Sequence, residues 1–283
     1  MLKNIVVDQN VLRKEHLLRP AIAAAAAAGE KIVIPDIAFA EMMKSAEWAS
    51  TTEHSLAILA EDPELVVVSH AIGPVMKAEE ESGEACTDII DHDVTPVVRS
   101  LLQEIRQGRG PIFDRVAALI GPAQDLAKAQ HFEHSRNKQV IERIVAAWKE
   151  ELSPDDLKKL RRGDDESFVV ELLADMSMIR TCRDALIGAG YEEKKANVLA
   201  FEPSVSAHNF LCLAAYGVRW IDGLDSAAPE GVTNDLADMD YIVTASLSRD
   251  LVSEEKRVRQ IHERLKRVIE RRAVIYEDIV NGK

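Results

Sequence analysis

Short runs of β-branched residues alternate with helical stretches at both ends of the chain, and a long block without strand character separates them. Ile5, Val6 and Val7 form the first run and end on Asp8. A continuous apolar run of this length suits a strand buried on both faces. A helical stretch from about Val11 to Ala28 follows and stops at Gly29, a residue type that closes helices in the left-handed conformation. Lys31-Ile32-Val33-Ile34 predicts a second strand, ended by Pro35. Asp36 can cap the next helix, which carries Glu41 about one and a half turns in. A helix around Glu53 to Ala60 leads through Asp62-Pro63 to a third strand, Leu65 to Val68. Strands alternating with helices imply βαβ units, a parallel sheet, and right-handed crossovers that place helices over both faces.

The pattern changes at Gly73-Pro74. From about Val75 to Leu199 it predicts amphipathic helices, broken at Gly108 to Pro111, Gly121-Pro122, Ser153-Pro154 and Gly188 to Gly190. Pro203 to Tyr216 reads as helix, Gly217 to Ile221 as a strand, and Asn234 to Ser246 as helix again. Leu251-Val252-Ser253 is a short strand entering a long helix, Glu254 to about Arg272, in which Val258, Ile261, Leu265 and Val268 recur on one face. The chain therefore divides into residues 1–74 as the first part of an α/β core, 75–202 as a helical insertion or lobe, and 203–283 as the second part of the core with a basic C-terminal helix.

Composition narrows the class. At 283 residues and 47% hydrophobic content the chain can bury a core as one large domain or two modest ones. No apolar run is long enough for a bilayer, and the N-terminus shows no signal-peptide pattern. Cys86, Cys182 and Cys212 lack metal spacing and read as free thiols of a reducing compartment. The expectation is a cytoplasmic protein with no membrane partner. The net charge of −13, from 35 basic and 48 acidic residues, argues against a protein that coats DNA, though a metal site needs acids.

The acids change the picture further. In a parallel sheet all strand carboxyl ends lie on one edge, where open α/β sheets bind ligands. Asp8 and Glu254/Glu255 follow strands; Glu41 lies early in a helix that starts from that edge; Asp238 lies in the helix preceding the last strand. Such acids can converge. Clustered carboxylates repel one another, and a divalent cation removes that penalty; hard oxygen ligands suit Mg²⁺ or Mn²⁺. Taken singly, each acid also suits a helix start, where it caps the helix or complements its dipole.

The order of these segments resembles the PIN domain nucleases. The matching stretches are Val6-Val7-Asp8-Gln9-Asn10-Val11-Leu12, then Ile34-Pro35-Asp36-Ile37 with Glu41, then Asp238-Met239-Asp240-Tyr241-Ile242, followed by Leu251-Val252-Ser253-Glu254-Glu255-Lys256. The resemblance covers roughly the first 70 and last 80 residues. It implies a three-layer α/β/α sandwich with a central parallel sheet, and a metal-dependent endoribonuclease. Asp8, Glu41, Asp238 and Glu255 would be catalytic and hold Mg²⁺ or Mn²⁺, with Asp235 as a further metal ligand. Asp235, Asp238 and Asp240 compete for one role, and spacing to Ser253 favours Asp238. Asn10 and Ser253 would orient the acids. The sequence departs from the family pattern at Gln9, where the family has Thr or Ser, and at Glu255, where it has Asp. The Glu255 departure supports an alternative: a catalytically inactive PIN-like module that binds RNA or protein.

RNA is the expected partner. Lys256, Arg257 and Arg259 begin the basic helix beside Glu255 and can meet phosphates; an ordinary solvated face with Glu–Arg pairs explains them equally well. The helical insertion can serve a protein partner or self-association. His131 and His134 stand one helical turn apart without a placed third ligand, which favours a surface or inter-helix pair. Asp88 to Asp93 lacks calcium-loop spacing and reads as a helix end.

Overall fold

The computed structural model describes residues 4–43, 47–86, 88–108, 110–115, 134–162, 165–221 and 228–280. It is mostly helical with one small sheet, an α/β arrangement. The strands are β1 (Ile5–Val7), β2 (Ile32–Ile34), β3 (Val66–Val68) and β4 (Asp250–Val252). The helices are α1 (Glu15–Ala28), α2 (Asp36–Met43), α3 (Trp48–Leu56), α4 (Ile72–Ser82), α5 (Val94–Gln107), α6 (His134–Glu151), α7 (Pro154–Arg162), α8 (Glu166–Ala174), α9 (Met176–Gly188), α10 (Glu193–Phe201), α11 (Val205–Arg219), α12 (Pro229–Ser246) and α13 (Lys256–Val280). His131 and the Gly121-Pro122 break lie outside the described residues.

The chain forms two compact units. The first comprises Met1–Ile72, Asp88–Glu133 and Asp240–Arg259; the second comprises Gly73–Thr87, His134–Met239 and Gln260–Lys283. This interleaving differs from the division at residues 74 and 202. Part of the expected insertion belongs with the sheet, and much of the expected second core segment is in the helical unit.

All four strands of the first unit are parallel, in the order β3-β2-β1-β4. Every residue of β1, β2 and β3 is buried, as a two-sided strand requires. Each Val or Ile so placed contributes about 1.5–3 kcal/mol relative to an exposed one. α1 packs against β1, β2 and β4, and α5 packs against β3. Gly29 closes α1 at φ +66°, a conformation that favours glycine.

Two local expectations differ. Residues 217–219 continue α11, and Trp220 caps it; no strand forms there. A short apolar run has the same pattern in a buried helix as in a buried strand, and α11 is buried along most of its length. The acidic stretch 88–93 starts a helix instead of ending one. Ile90 bridges antiparallel to Ser69, beyond β3, and Asp91 Oδ1 accepts the N–H groups of Asp93 (3.0 Å) and Val94 (2.8 Å) at the start of α5.

In the helical unit, Glu79 is 1% exposed yet fully engaged. Its carboxylate accepts the N–H groups of Cys86, Val205 and Ser206, each at 2.9 Å, and the Ser206 hydroxyl at 2.6 Å. It thereby caps α11 and ties the residues after α4 to it. Cys182 and Cys212 are buried, and burial pushes the Cys182 thiol up to about 12. No single helix among the described residues is long and apolar enough to cross a membrane. The pair α10 and α11 has the length and composition but is bent by 69°.

Candidate functional site

The chain runs outward from β1 through β2 to β3 and returns to the other side of β1 as β4. The carboxyl ends of β1 and β4 therefore flank the point where the connection order reverses, the usual crevice of an open parallel sheet. Asp8 follows β1 there, and Ser253 to Glu255 follow β4.

Asp8 is 3% exposed, and both its oxygens are engaged. Oδ2 accepts the Ser253 hydroxyl at 2.6 Å, and Oδ1 accepts the Asn10 N–H at 3.1 Å. Asp8 thus caps a short 3-10 turn, Gln9–Val11, while also bonding across to β4. Ser253 Oγ accepts the Glu255 N–H at 3.1 Å, and Asn10 Nδ2 donates to Glu255 Oε1 at 3.3 Å. Burial raises the Asp8 carboxyl above its ordinary range. The bonds from Ser253 and Asn10 oppose that, the Glu255 charge adds to it, and Lys14 opposes it. Lys14 also pairs with Glu254.

A second group adjoins this one. Tyr241, 1% exposed in α12, donates its hydroxyl to Glu41 Oε2 at 2.6 Å. Burial keeps that phenol protonated far beyond its ordinary range, reinforced by the Glu41 and Asp8 charges; the Gln9 N–H acts the other way. The half-buried Asp240, on the same helix, is pushed up to about 7 by burial and then by the Asp36 and Glu41 charges. Both charges it senses are negative. An electrostatic chain therefore runs from Glu255 through Asp8 and Tyr241 to Glu41, Asp240 and Asp36.

This set of hard oxygen donors, with raised proton affinity at Asp8 and Asp240, suits a divalent cation in chemistry and charge. The side chains are not closed on a common point. Among the described residues no group of three or more His, Cys, Asp and Glu is arranged to hold a metal ion. Glu41 is turned to Tyr241, and Glu255 to Asn10 and to Arg257 Nη2 at 3.1 Å.

Of the expected acids, the structure gathers Asp8, Glu41 and Glu255 in the sheet unit, with Asn10 and Ser253 bonded among them. Asp238 is half-buried in α12 on the segment assigned to the helical unit; Asp240, two residues on, is in the sheet unit. Asp235 is fully buried and paired with Arg219 at 2.6 Å within the helical unit. Its carboxylate serves that ion pair.

The basic residues after β4 are largely engaged. Arg257 pairs with Glu255, and Arg259 Nη1 donates to the carbonyls of Ser253 (2.6 Å) and Glu254 (2.7 Å). Further along α13, Arg264 and Arg267 meet Glu166 and Arg271 meets Glu171. Lys256 is exposed. Glu–Arg pairs thus engage much of this helix, and those of Arg264, Arg267 and Arg271 tie it to α8.

The sequence pattern does not single out Tyr241 or Lys14, and it reads Asp36 only as a helix cap. A phenol in the apolar run Tyr241-Ile242-Val243 was the available signal, because a buried tyrosine hydroxyl needs a partner. No protein-family model, curated protein or solved structure matches the chain.

Proposed function

We propose that the edge around Asp8 is the active site of a divalent-cation-dependent endoribonuclease of PIN type, built on an α/β/α sandwich. The observation that carries this reading is the placement of Asp8 at the β1/β4 reversal, bonded to Ser253 and electrostatically coupled to Glu255. The strand order supports the sandwich. With right-handed crossovers, the β1–β2 and β2–β3 connections fall on one face and the return to β4 on the other.

Asp8, Glu41, Asp240 and Glu255 would hold Mg²⁺ or Mn²⁺, with Asp238 as the alternative to Asp240. When bound, the ion would supply Lewis acidity toward a phosphodiester and a bound water more acidic than bulk water. Ser253 and Asn10 orient Asp8, and Tyr241 orients Glu41. Lys256 would supply positive charge near the edge for RNA phosphates.

A second reading, an inactive module that binds RNA or protein, is favoured by the Glu255–Arg257 pair and by the unclosed acids. Manganese titration and cleavage of end-labelled single-stranded RNA separate the two. The nuclease reading expects Mn²⁺ binding, cleavage that stops with EDTA, 5′-phosphate products, and a loss of at least about 100-fold in Asp8→Asn, the scale of losing a key electrostatic group. Absence of Mn²⁺ binding, or cleavage unchanged in Asp8→Asn, refutes it.

A further inference from the structure

The helical unit contains a cavity of ≈ 260 Å³ bordered by α6, α8, α9 and α11, and among the described residues no charged side chain lines it. Trp148, Leu172, Met178 and Phe210 form much of its wall, while Ser177 and Thr181 also line it, carrying hydroxyl groups one helical turn apart on α9. The state of these hydroxyls defines what the cavity accepts. Ser177 Oγ donates to Asp175 Oδ1 at 2.7 Å, and Thr181 Oγ1 donates to the Ser177 carbonyl at 3.0 Å. The hydroxyl and N–H of Ser177 hold the Asp175 carboxyl below its ordinary range, so it is an ionised acceptor and keeps the Ser177 hydrogen turned toward it. Each hydroxyl oxygen is left with lone pairs.

Size limits the ligand from the other side. An apolar cavity of roughly 150 Å³ holds one benzene, and this one is large enough for two fused rings. Burying a carboxylate against such walls without a cationic partner is costly. We infer that this cavity is a binding site for a neutral two-ring aromatic molecule carrying an N–H or O–H donor, its rings against Trp148 and Phe210 and its donor on Thr181 or Ser177. The site is independent of the carboxylate edge and of the nuclease reading.

Calorimetry and thermal melting of the full chain test this with three probes: indole, 1-methylindole, which lacks the donor, and benzoate. The wild type is expected to bind indole saturably at one site with a rise in melting temperature, to bind 1-methylindole at least about fivefold more weakly, consistent with the loss of one hydrogen bond, and to ignore benzoate. The Thr181→Val, Ser177→Ala variant is expected to bring the two indoles within about twofold of each other. Leu213→Trp fills the cavity and is expected to abolish binding; if that variant does not fold, the comparison of the two indoles decides. The inference is overturned if folded wild type shows no saturable indole binding at millimolar concentration, if benzoate binds as tightly, or if the preference for indole survives loss of both hydroxyls.

Discussion

Replacing Asp240 by asparagine is expected to remove a pH dependence of stability centred near neutrality. The folded chain holds this carboxyl at about 7, against an ordinary value of 3.8, because it is half-buried and faces the Asp36 and Glu41 charges. A raised proton affinity means that the folded state binds the proton more tightly than the unfolded chain. The stability contributed by Asp240 is therefore complete below about pH 3.8 and is lost as pH rises through about 7. Each factor of ten in proton affinity is worth about 1.4 kcal/mol. At pH 5 only about 1–2 kcal/mol has been lost; at pH 8 the loss is on the order of 4 kcal/mol. Between these two pH values the wild type is expected to lose about 2–3 kcal/mol that Asp240→Asn does not.

Urea denaturation at pH 5, 6, 7 and 8, with EDTA present throughout, measures the difference between the two proteins. His208 titrates in the opposite sense. Burial and then the Arg272 charge lower it to about 3, so its contribution is present above about 6.5 and is lost as pH falls toward about 3. That effect is common to both proteins and cancels in the difference. A wild-type-minus-variant difference that stays constant from pH 5 to 8 would refute the reasoning. So would a difference that grows in the wild type's favour as pH rises.

Two further substitutions probe buried carboxylates and their donors. Ser253→Ala removes the hydroxyl donated to Asp8 at 2.6 Å, leaving a buried carboxylate oxygen without its donor. It is expected to cost about 1–3 kcal/mol in denaturant unfolding at pH 8, and progressively less as pH falls, because burial makes the Asp8 carboxyl easier to protonate. Glu79→Gln replaces an acceptor-only group with an amide, one of whose ends must then face N–H donors. A loss of at least about 1–3 kcal/mol in the same assay is expected, and an unchanged midpoint would show that the carboxylate does not hold α11.

The strands and the first turns around the sheet were legible because they rest on local rules. Ile5 to Val7, Ile32 to Ile34 and Val66 to Val68 are β-branched runs that end at Asp8, Pro35 and Ser69, and they lie where the pattern places them. Gly29 ends α1 because its backbone conformation is set within one turn of chain. Asp8 and Ser253 could be expected near each other because both end parallel strands of one sheet.

Other features depended on packing. Asp238 and Asp240 are separated by about 200° around a helix, so they point to nearly opposite sides. Which of them faces Glu41 depends on how α12 is rolled against its neighbours, and sequence spacing carries no information about that roll. The same roll places the Tyr241 hydroxyl on Glu41. Asp235 was one acid among several until Arg219, 16 residues away, proved to be its partner. The return of the chain from Asp88 through α5 to the sheet unit follows from Ile90 bridging to Ser69 and from α5 packing on β3. By itself the sequence determined the local elements and the edge on which acids following parallel strands must lie, because backbone geometry and strand direction act locally. Only the tertiary structure decided which acids face that edge and what each is bonded to, because those choices depend on helix roll and on partners distant along the chain.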